Sequence, residues 1–267
     1  MNGVFRCSIA LGITLACGTA SAQGKVDNIG NAGGIVIGAE RLAGVYHTKI
    51  NTKSEQTTTV GGTTITSKSD VDTTRTTFAV FGHAAESPTQ VPRLALDFFP
   101  IDGLSLGGSF TYIASSGKVK GTQSLSGSVN QEREIDSKLP TGSGLIFQPR
   151  LGFAFAFNEV VGIWPRAGFS YTRLVTKEEV TETDAQGNEQ KFEDTITITY
   201  TDLTLEGMLF VSPFSNFAFV GGPFVDIPLG GSQKQESTRP NSQSFEADNT
   251  LLCYGAMIGV AGYFDTQ

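Results

Sequence analysis

Apolar and non-apolar residues change places one by one along much of this chain. Leu104, Leu106, Gly108, Phe110 and Tyr112 share one side of an extended backbone, and Ser105, Gly107, Ser109 and Thr111 share the other. Phe147, Leu151, Phe153, Phe155 and Phe157 alternate with Gln148, Arg150, Gly152, Ala154 and Ala156. Ile163, Ala167, Phe169 and Tyr171 oppose Arg166, Gly168, Ser170 and Thr172. A period of two marks a β-strand with unlike faces. Here one face is bulky and apolar, and the other is small or polar.

The pattern predicts eight strands, at about 35–47, 91–99, 104–114, 145–157, 161–174, 195–211, 216–227 and 251–264. Three short turns, FPIDGLS, FNEVVG and SPFSNF, are centred near Asp102, Glu159 and Ser215, spaced 57 and then 56 residues apart. Between them run long polar stretches at 48–72, 115–142, 176–194 and 230–249. The sixth strand changes parity between Tyr200 and Leu203, which places a bulge near Asp202. Residues 75–82 (RTTFAVFG) also read as strand. They belong either to a hairpin turning at Gly61-Gly62 or to one longer strand that 83–92 interrupts.

A soluble sandwich alternates too, but its outer face is rich in Lys, Glu and Thr. Here the non-apolar face holds Gly, Ala and Ser with isolated charges, which suits the interior of a narrow closed barrel. Composition agrees: 17% of residues are charged and 32 are Gly, against roughly 25% charged in globular chains. Mean hydropathy is −0.04, as alternation requires. After the N-terminus no run of about 20 apolar residues could form a transmembrane helix. The expected fold is therefore all-β: an eight-stranded antiparallel up-and-down transmembrane barrel with four long extracellular loops and three tight periplasmic turns. Its strands reach the nine to eleven or so residues that a tilted span needs.

Residues 1–22 read as a cleaved export signal. Arg6 supplies the charge, Cys7 to Cys17 the apolar core, and Ala20-Ser21-Ala22 a small-x-small site before Gln23. A lipobox ending at Cys17 competes, with Thr14 where Leu is usual. A flexible segment at 23–34, the barrel at 35–264 and a tail at 265–267 complete the organisation. The mature chain keeps all 26 acids and loses only Arg6 of 19 basic residues, for a net charge of −8. That balance disfavours nucleic acid as a partner. Cys253 is left as a single thiol, so no disulfide can form within the mature chain.

The segment LALDFFPIDGLSLGGSFTY (94–112), with its aromatic-ended strand, Pro/Asp/Gly turn and alternating strand, resembles the small outer-membrane barrels of the OmpA, OmpX and opacity-protein type. The other two hairpins and the Gly-rich last strand share the pattern. The resemblance implies a bacterial outer-membrane location and assembly by the outer-membrane insertion machinery. The end of the chain departs from the family's terminal aromatic, since Asp265, Thr266 and Gln267 follow Phe264.

Parity places Glu40, Arg93, Asp97, Arg150, Arg166, Glu206 and Asp226 on the lumen face. Ions in a narrow lumen are costly unless paired, so these residues read as a salt-bridge plug or as a rearranging network around an ion path. His47 and His83 are the only histidines, and neither carries the His-x-Ser arrangement of an outer-membrane deacylase. No metal-ligand spacing or phosphate loop is present, and neither a catalytic residue nor a cofactor is assigned. Phe98, Phe99, Phe157, Phe214 and Phe217 cluster near the tight turns as an interfacial girdle would. Trp164 falls on the inward parity. The polar stretches 57–66 and 177–194 read as strand extensions able to meet a partner.

The functional expectation is an outer-membrane barrel with a structural or surface-interaction role and a largely plugged lumen. It would contact outer-membrane lipid and lipopolysaccharide, function as a monomer, and offer its loops to an extracellular partner. A narrow pore for ions or small solutes is one alternative. A soluble exported barrel that binds an apolar ligand is the other.

Overall fold

The computed structural model describes residues 29–264 except 61–62, 82–87, 126–130, 184–188, 241 and 243, without the side chains of 56–60, 63–65, 88, 118–125, 131–138 and 183. The export signal, the Gly61-Gly62 turn, His83 and the tail 265–267 lie outside the described residues.

Ten strand segments occupy eight lanes of one antiparallel sheet. They are β1 (Ile35–Val60), β2 (Thr63–Val80), β3 (Arg93–Phe98), β4 (Leu104–Leu125), β5 (Gln131–Phe153), β6 (Phe155–Ala156), β7 (Val161–Thr183), β8 (Glu189–Phe214), β9 (Phe217–Ser237) and β10 (Phe245–Phe264). Each lane pairs with the next in sequence, and β10 returns to β1, with Ile35 opposite Phe264 and Ser54 opposite Ala247. The sheet is thus a closed barrel.

Two lanes are broken, each for a local reason. β2 pairs with β1 from Ala43 outward, and β3 pairs with β1 from Glu40 downward. Residues 75–80 are therefore both the return arm of a hairpin and the outer part of the lane that β3 continues, so the two readings of this segment are one arrangement. At this level β1 carries a bulge: Ala39 faces Val260, Ala43 faces Ile258, and Arg41 has φ 55°. Three residues oppose Gly259 alone, which adds two and preserves parity above. A Cβ on Gly259 would lie 2.5 Å from the Ala39 carbonyl, so the bulge needs glycine there. The other break separates β5 from β6 at Ala154, beside Pro165 on β7, which has no N–H to give the ladder; on the opposite edge of the strand the Ala154 amide donates to the Gly103 carbonyl (2.7 Å).

The strands run well past the predicted ends. β8 has 26 residues, more than twice the nine to eleven or so that cross a bilayer. The polar stretches expected as loops are largely paired strand, as in β7–β8, where Lys177 faces Thr195 and Thr183 faces Glu189. On the opposite rim the turns are tight. Gly103 (φ 80°) and Asn216 (φ 63°) take the left-handed conformations those turns demand, and the Asn158 side chain accepts the Val160 and Val161 amides (both 2.8 Å). The expected shift near Asp202 lies between Thr201 and Asp202.

Below Thr201 the wall is apolar outside: Leu151, Phe169, Leu205, Leu209, Phe219 and Ile258 are all exposed. The tight-turn end of the lumen is filled by Ile29, Phe99, Trp164, Phe210 and Tyr263, all buried. Two expectations are corrected here. Residues 29–34, expected to be flexible, pack against the barrel: Ile29 is buried, Gly33 donates to the Phe99 carbonyl (2.7 Å), and Ala32 donates to Asp102 (2.8 Å). Phe99 points inward rather than into a girdle, because those hydrogen bonds turn it under the barrel floor; Phe98, Phe157 and Phe214 stay outside.

A wall that meets hydrocarbon should reject charge according to depth. Leu205→Arg, near mid-span, should lower folding stability in lipid vesicles by about 2–4 kcal/mol, measured by urea titration. The same change at Phe214, beside the turn, should cost less than about 1 kcal/mol.

Candidate functional site in the barrel lumen

Above the apolar floor the lumen holds a layer of ions. The strand register builds it. Arg93 on β3 lies opposite Glu40 on β1, Arg166 on β7 opposite Glu206 on β8, and Asp226 on β9 opposite Thr204 on β8. Arg150 on β5 faces Gly107 and Gly168 on its two neighbours. A Cβ on Gly168 would come within 2.8 Å of Arg150 Cβ, so a bare backbone gives the guanidinium its room.

Arg150 and Arg166, with side chains 1% exposed, share three carboxylates. Arg150 grips Glu40 with Nη1 (2.7 Å) and Nη2 (2.9 Å), and Asp97 with Nε (3.0 Å) and Nη2 (2.5 Å). Its Nη1 also lies 3.7 Å from Glu206. Arg166 meets Glu40 at 2.5 Å and Glu206 at 2.8 Å. These bidentate contacts suit the planar guanidinium and give the layer one geometry. Gln148 links the layer onward, donating to Glu206 (3.2 Å) and accepting from Arg93.

Toward the outer mouth stands a second pair. Arg41 binds Asp226 through both guanidinium nitrogens (3.1–3.2 Å), and Thr204 donates to the same carboxylate (2.8 Å). Arg41 also lies 4.4 Å above the Phe224 ring and donates to the Thr89 carbonyl (2.6 Å). Thr89, in a short 3₁₀ turn (Pro88–Gln90), further accepts from Cys253 Sγ (3.4 Å). Thr89, Gln90 and Val91 are buried. Residues 89–91, just before β3, therefore lie within the lumen, and Arg41 fastens Thr89 there.

All seven sequence-predicted lumen residues, Glu40, Arg93, Asp97, Arg150, Arg166, Glu206 and Asp226, are buried in this interior. Gln148, which the alternation had set on the same face, joins them, and so do Arg41, Asp202 and the Thr89 turn, which it had not marked. Arg41 follows Glu40, so strict alternation would send it into lipid; the adjacent pair of charges in an apolar strand was the available sign of a bulge. Asp202 accepts from Ser170 (3.2 Å) and brings the described lumen to five acids and four arginines. Trp164 finds its place as the floor of the layer. It donates to Ser105 (3.0 Å), packs on Phe99 (5.6 Å) and lies 4.8 Å under the Arg166 guanidinium.

Outside the membrane the charges pair across strands: Lys68 with Glu55 (3.1 Å), Lys177 with Glu193 (2.8 Å), Lys191 with Glu179 (2.9 Å) and Arg239 with Glu182 and Asp194 (both 3.2 Å). The hydrogen bond from Lys191 to Glu179 raises the ammonium pKa above its ordinary value. Such exposed pairs contribute little individually. His47 lies out here, 2.8 Å from Thr76 Oγ1. Among the described residues no three His, Cys, Asp or Glu side chains gather as metal ligands.

The ionic layer makes a quantitative prediction. Arg150→Ala strands Glu40 and Asp97 away from water and should cost about 3–5 kcal/mol, read by denaturant titration in detergent micelles. Arg150→Lys should recover only part of that loss, since a point charge cannot hold both carboxylates side-on.

No protein-family model matches the chain, and no curated protein matches it. Among solved structures it is similar to OprG, an outer membrane protein from Pseudomonas aeruginosa, at 12% identity and TM-score 0.48, covering 90% of this chain and 100% of that one. It is also similar to a major outer membrane protein from Thermus thermophilus (13%, TM-score 0.40, 83% and 99% covered). A third is Ail, the attachment invasion locus protein of Yersinia pestis (12%, TM-score 0.32, 87% and 99% covered). The closed ring, apolar outside and charged inside, satisfies every condition for a strand-built membrane span. The chain is an outer-membrane β-barrel.

Proposed function

We propose that the protein is a plugged barrel, a rigid anchor in the outer membrane whose work is done by the strand extensions that it holds above the surface. The observation that carries this reading is the closed ionic layer. Arg150 and Arg166 have no accessible surface to speak of, Trp164 seals them below, and the Thr89 turn covers the Arg41–Asp226 pair above. An eight-stranded barrel has an interior that side chains can fill, and these do so with matched charge. Opening a continuous water path means separating several buried ion pairs.

The extensions support the other half of the reading. They are long, paired and polar, so they stand as stiff hairpins rather than free loops, and partner binding on barrels concentrates in such places. The reading assigns the protein no reaction and no cofactor. It makes lipopolysaccharide the immediate neighbour, the insertion machinery the assembly partner, a surface molecule the binding partner and the monomer the working form. Residues 1–22 are its removable export signal in this reading.

A narrow pore is the second reading, favoured by one feature: Arg150 touches three carboxylates, so it can trade partners without losing them all.

Planar-bilayer recording separates the two. The refolded wild type should give no steady conductance, with Arg166→Ala admitting brief small openings beside Glu206. Large stable wild-type channels would replace the plug reading with the pore. Topology is testable in the same terms: proteinase K, which needs no basic residue, added to intact cells should cut within 177–191 and spare the turn at 157–161. Cleavage confined to that turn would invert the barrel.

A further inference from the structure

The outer wall has a dent at mid-membrane, and the sequence shows why it forms. Prolines line it on two strands that flank β8, Pro165 in β7 and Pro223 in β9, and a third, Pro149, stands in the adjoining β5 four residues farther from the tight turns. Each coincides with an interruption of the ladder. Pairing of β5 with β7 skips from Phe147–Tyr171 to Arg150–Gly168, and pairing of β8 with β9 skips from Glu206–Phe224 to Leu209–Gly221. Pro165 lies at the β5–β6 break. A proline has no N–H to give a ladder and normally avoids central strands, so three in neighbouring parts of one wall are a feature of that wall rather than an accident of one strand.

Side-chain sizes turn this seam into a groove. Pro165 lies directly opposite Gly207, and Pro223 lies across from Gly207 on the other side. All three face outward. Taller neighbours, Leu151, Phe153, Leu205 and Val225, rim the depression, whose volume is about 710 Å³. That falls within the roughly 300–1,000 Å³ of ligand clefts. The Gly207 carbonyl points at β9, since a Cβ on Gly222 would run into it. There it meets Pro223, which has no donor. The groove thus joins an apolar rim to a backbone acceptor whose ladder partner is missing, within a belt where water is not at hand.

We propose that this groove is a seat for one acyl chain of a membrane lipid, held in place for longer than the chains that pass over the rest of the wall. The proposal rests on the lipid-facing reading of the exterior. The surrounding belt of exposed Phe169, Leu209 and Phe219 is lipid contact, and the groove is continuous with it, so what fills it comes from the bilayer. A concave strip across β7, β8 and β9, about 10 Å wide at strand spacing, suits a flexible chain better than the convex wall of a second barrel.

Trp164 supplies the probe. It is the one tryptophan of the chain and adjoins Pro165, just behind the groove. The experiment reconstitutes the protein in phosphatidylcholine vesicles with acyl chains brominated near mid-length and measures quenching of its fluorescence. Gly207→Leu fills the depression, and the nearest atom to a new Cβ is Pro223 Cγ at 3.5 Å, an ordinary contact. Quenching should fall at least twofold in that variant, while Leu96→Ala, on the far wall, leaves it unchanged. Ala167→Leu fills the groove from β7 and replaces Gly207→Leu should the latter misfold on a heat-modifiability gel. Equal quenching in wild type and filled variants overturns the proposal. So does a wild-type dimer in detergent that Gly207→Leu converts to monomer, which would give the groove to a second copy. Failure of the wild type to float with vesicles would overturn the lipid-facing reading itself, a result distinct from either.

Discussion

Closure between β1 and β10 is the constraint from which the rest follows. In hydrocarbon a backbone N–H or C=O without a partner costs several kcal/mol, so a sheet can cross a membrane only by leaving no edge. Eight lanes are enough to close, but they leave an interior only wide enough for side chains. A small lumen forces a choice at every inward position. The residue is small, as at Gly168 and Ala218, or it is large and matched to what stands opposite. The alternation of Phe with Gly, Ser and single charges is the written form of that choice.

A narrow polar interior then decides how charge is arranged. Arg150 cannot be solvated where it lies, so Glu40 and Asp97 must both reach it, and Glu40 in turn binds Arg166. Removing Arg150 leaves Asp97 without its cation and Glu40 and Glu206 with Arg166 alone, which makes the layer cooperative. The same logic explains Arg41. A cation in an apolar strand beside the membrane cannot remain outside, and the bulge that brings it in lies where the neighbouring lane passes from β2 to β3. One local distortion thus sets the Arg41–Asp226 pair, the break between β2 and β3, and the docking of Thr89.

Much of this was legible in the sequence, and the boundary of what was not is physical. Period-two alternation with small inward residues identifies both the barrel and the sign of its faces, because each inward residue answers to the same narrow space. The seven lumen ions follow from parity alone. Parity fails where the backbone departs from regular strand, and there the site was missed: Arg41 lies in a bulge, Asp202 beside a register shift, and Thr89 in a turn that belongs to no strand. Trp164 shows the converse. Its inward parity was correct, but its purpose depends on Ser105 and Phe99 from distant lanes and on Arg166 two residues along, contacts that no local pattern encodes. Strand length was underestimated for another reason. Above the bilayer both faces of a hairpin meet water, so polar segments such as 51–59 (NTKSEQTTT) lose their alternation while keeping their ladder.

The barrel is therefore two materials at once. The centre of its interior is over-determined, with Arg150 and Arg166 sharing Glu40, Asp97 and Glu206 between them, and this ties the lanes together across the lumen. Its wall can then tolerate defects that would destabilise an emptier barrel. Pro149, Pro165 and Pro223 interrupt the ladder between β5 and β9 with the ionic layer close behind them, as Pro149 and Arg150, and Pro165 and Arg166, show by being neighbours in one strand. Arg166 to Glu206 ties β7 to β8, and Gln148 to Glu206 reaches from β5 to β8, so side chains bridge the lanes that the backbone leaves loosely joined. The plug and the groove are the inner and outer faces of one arrangement, in which cross-lumen ion pairs replace the ladder bonds that the prolines remove.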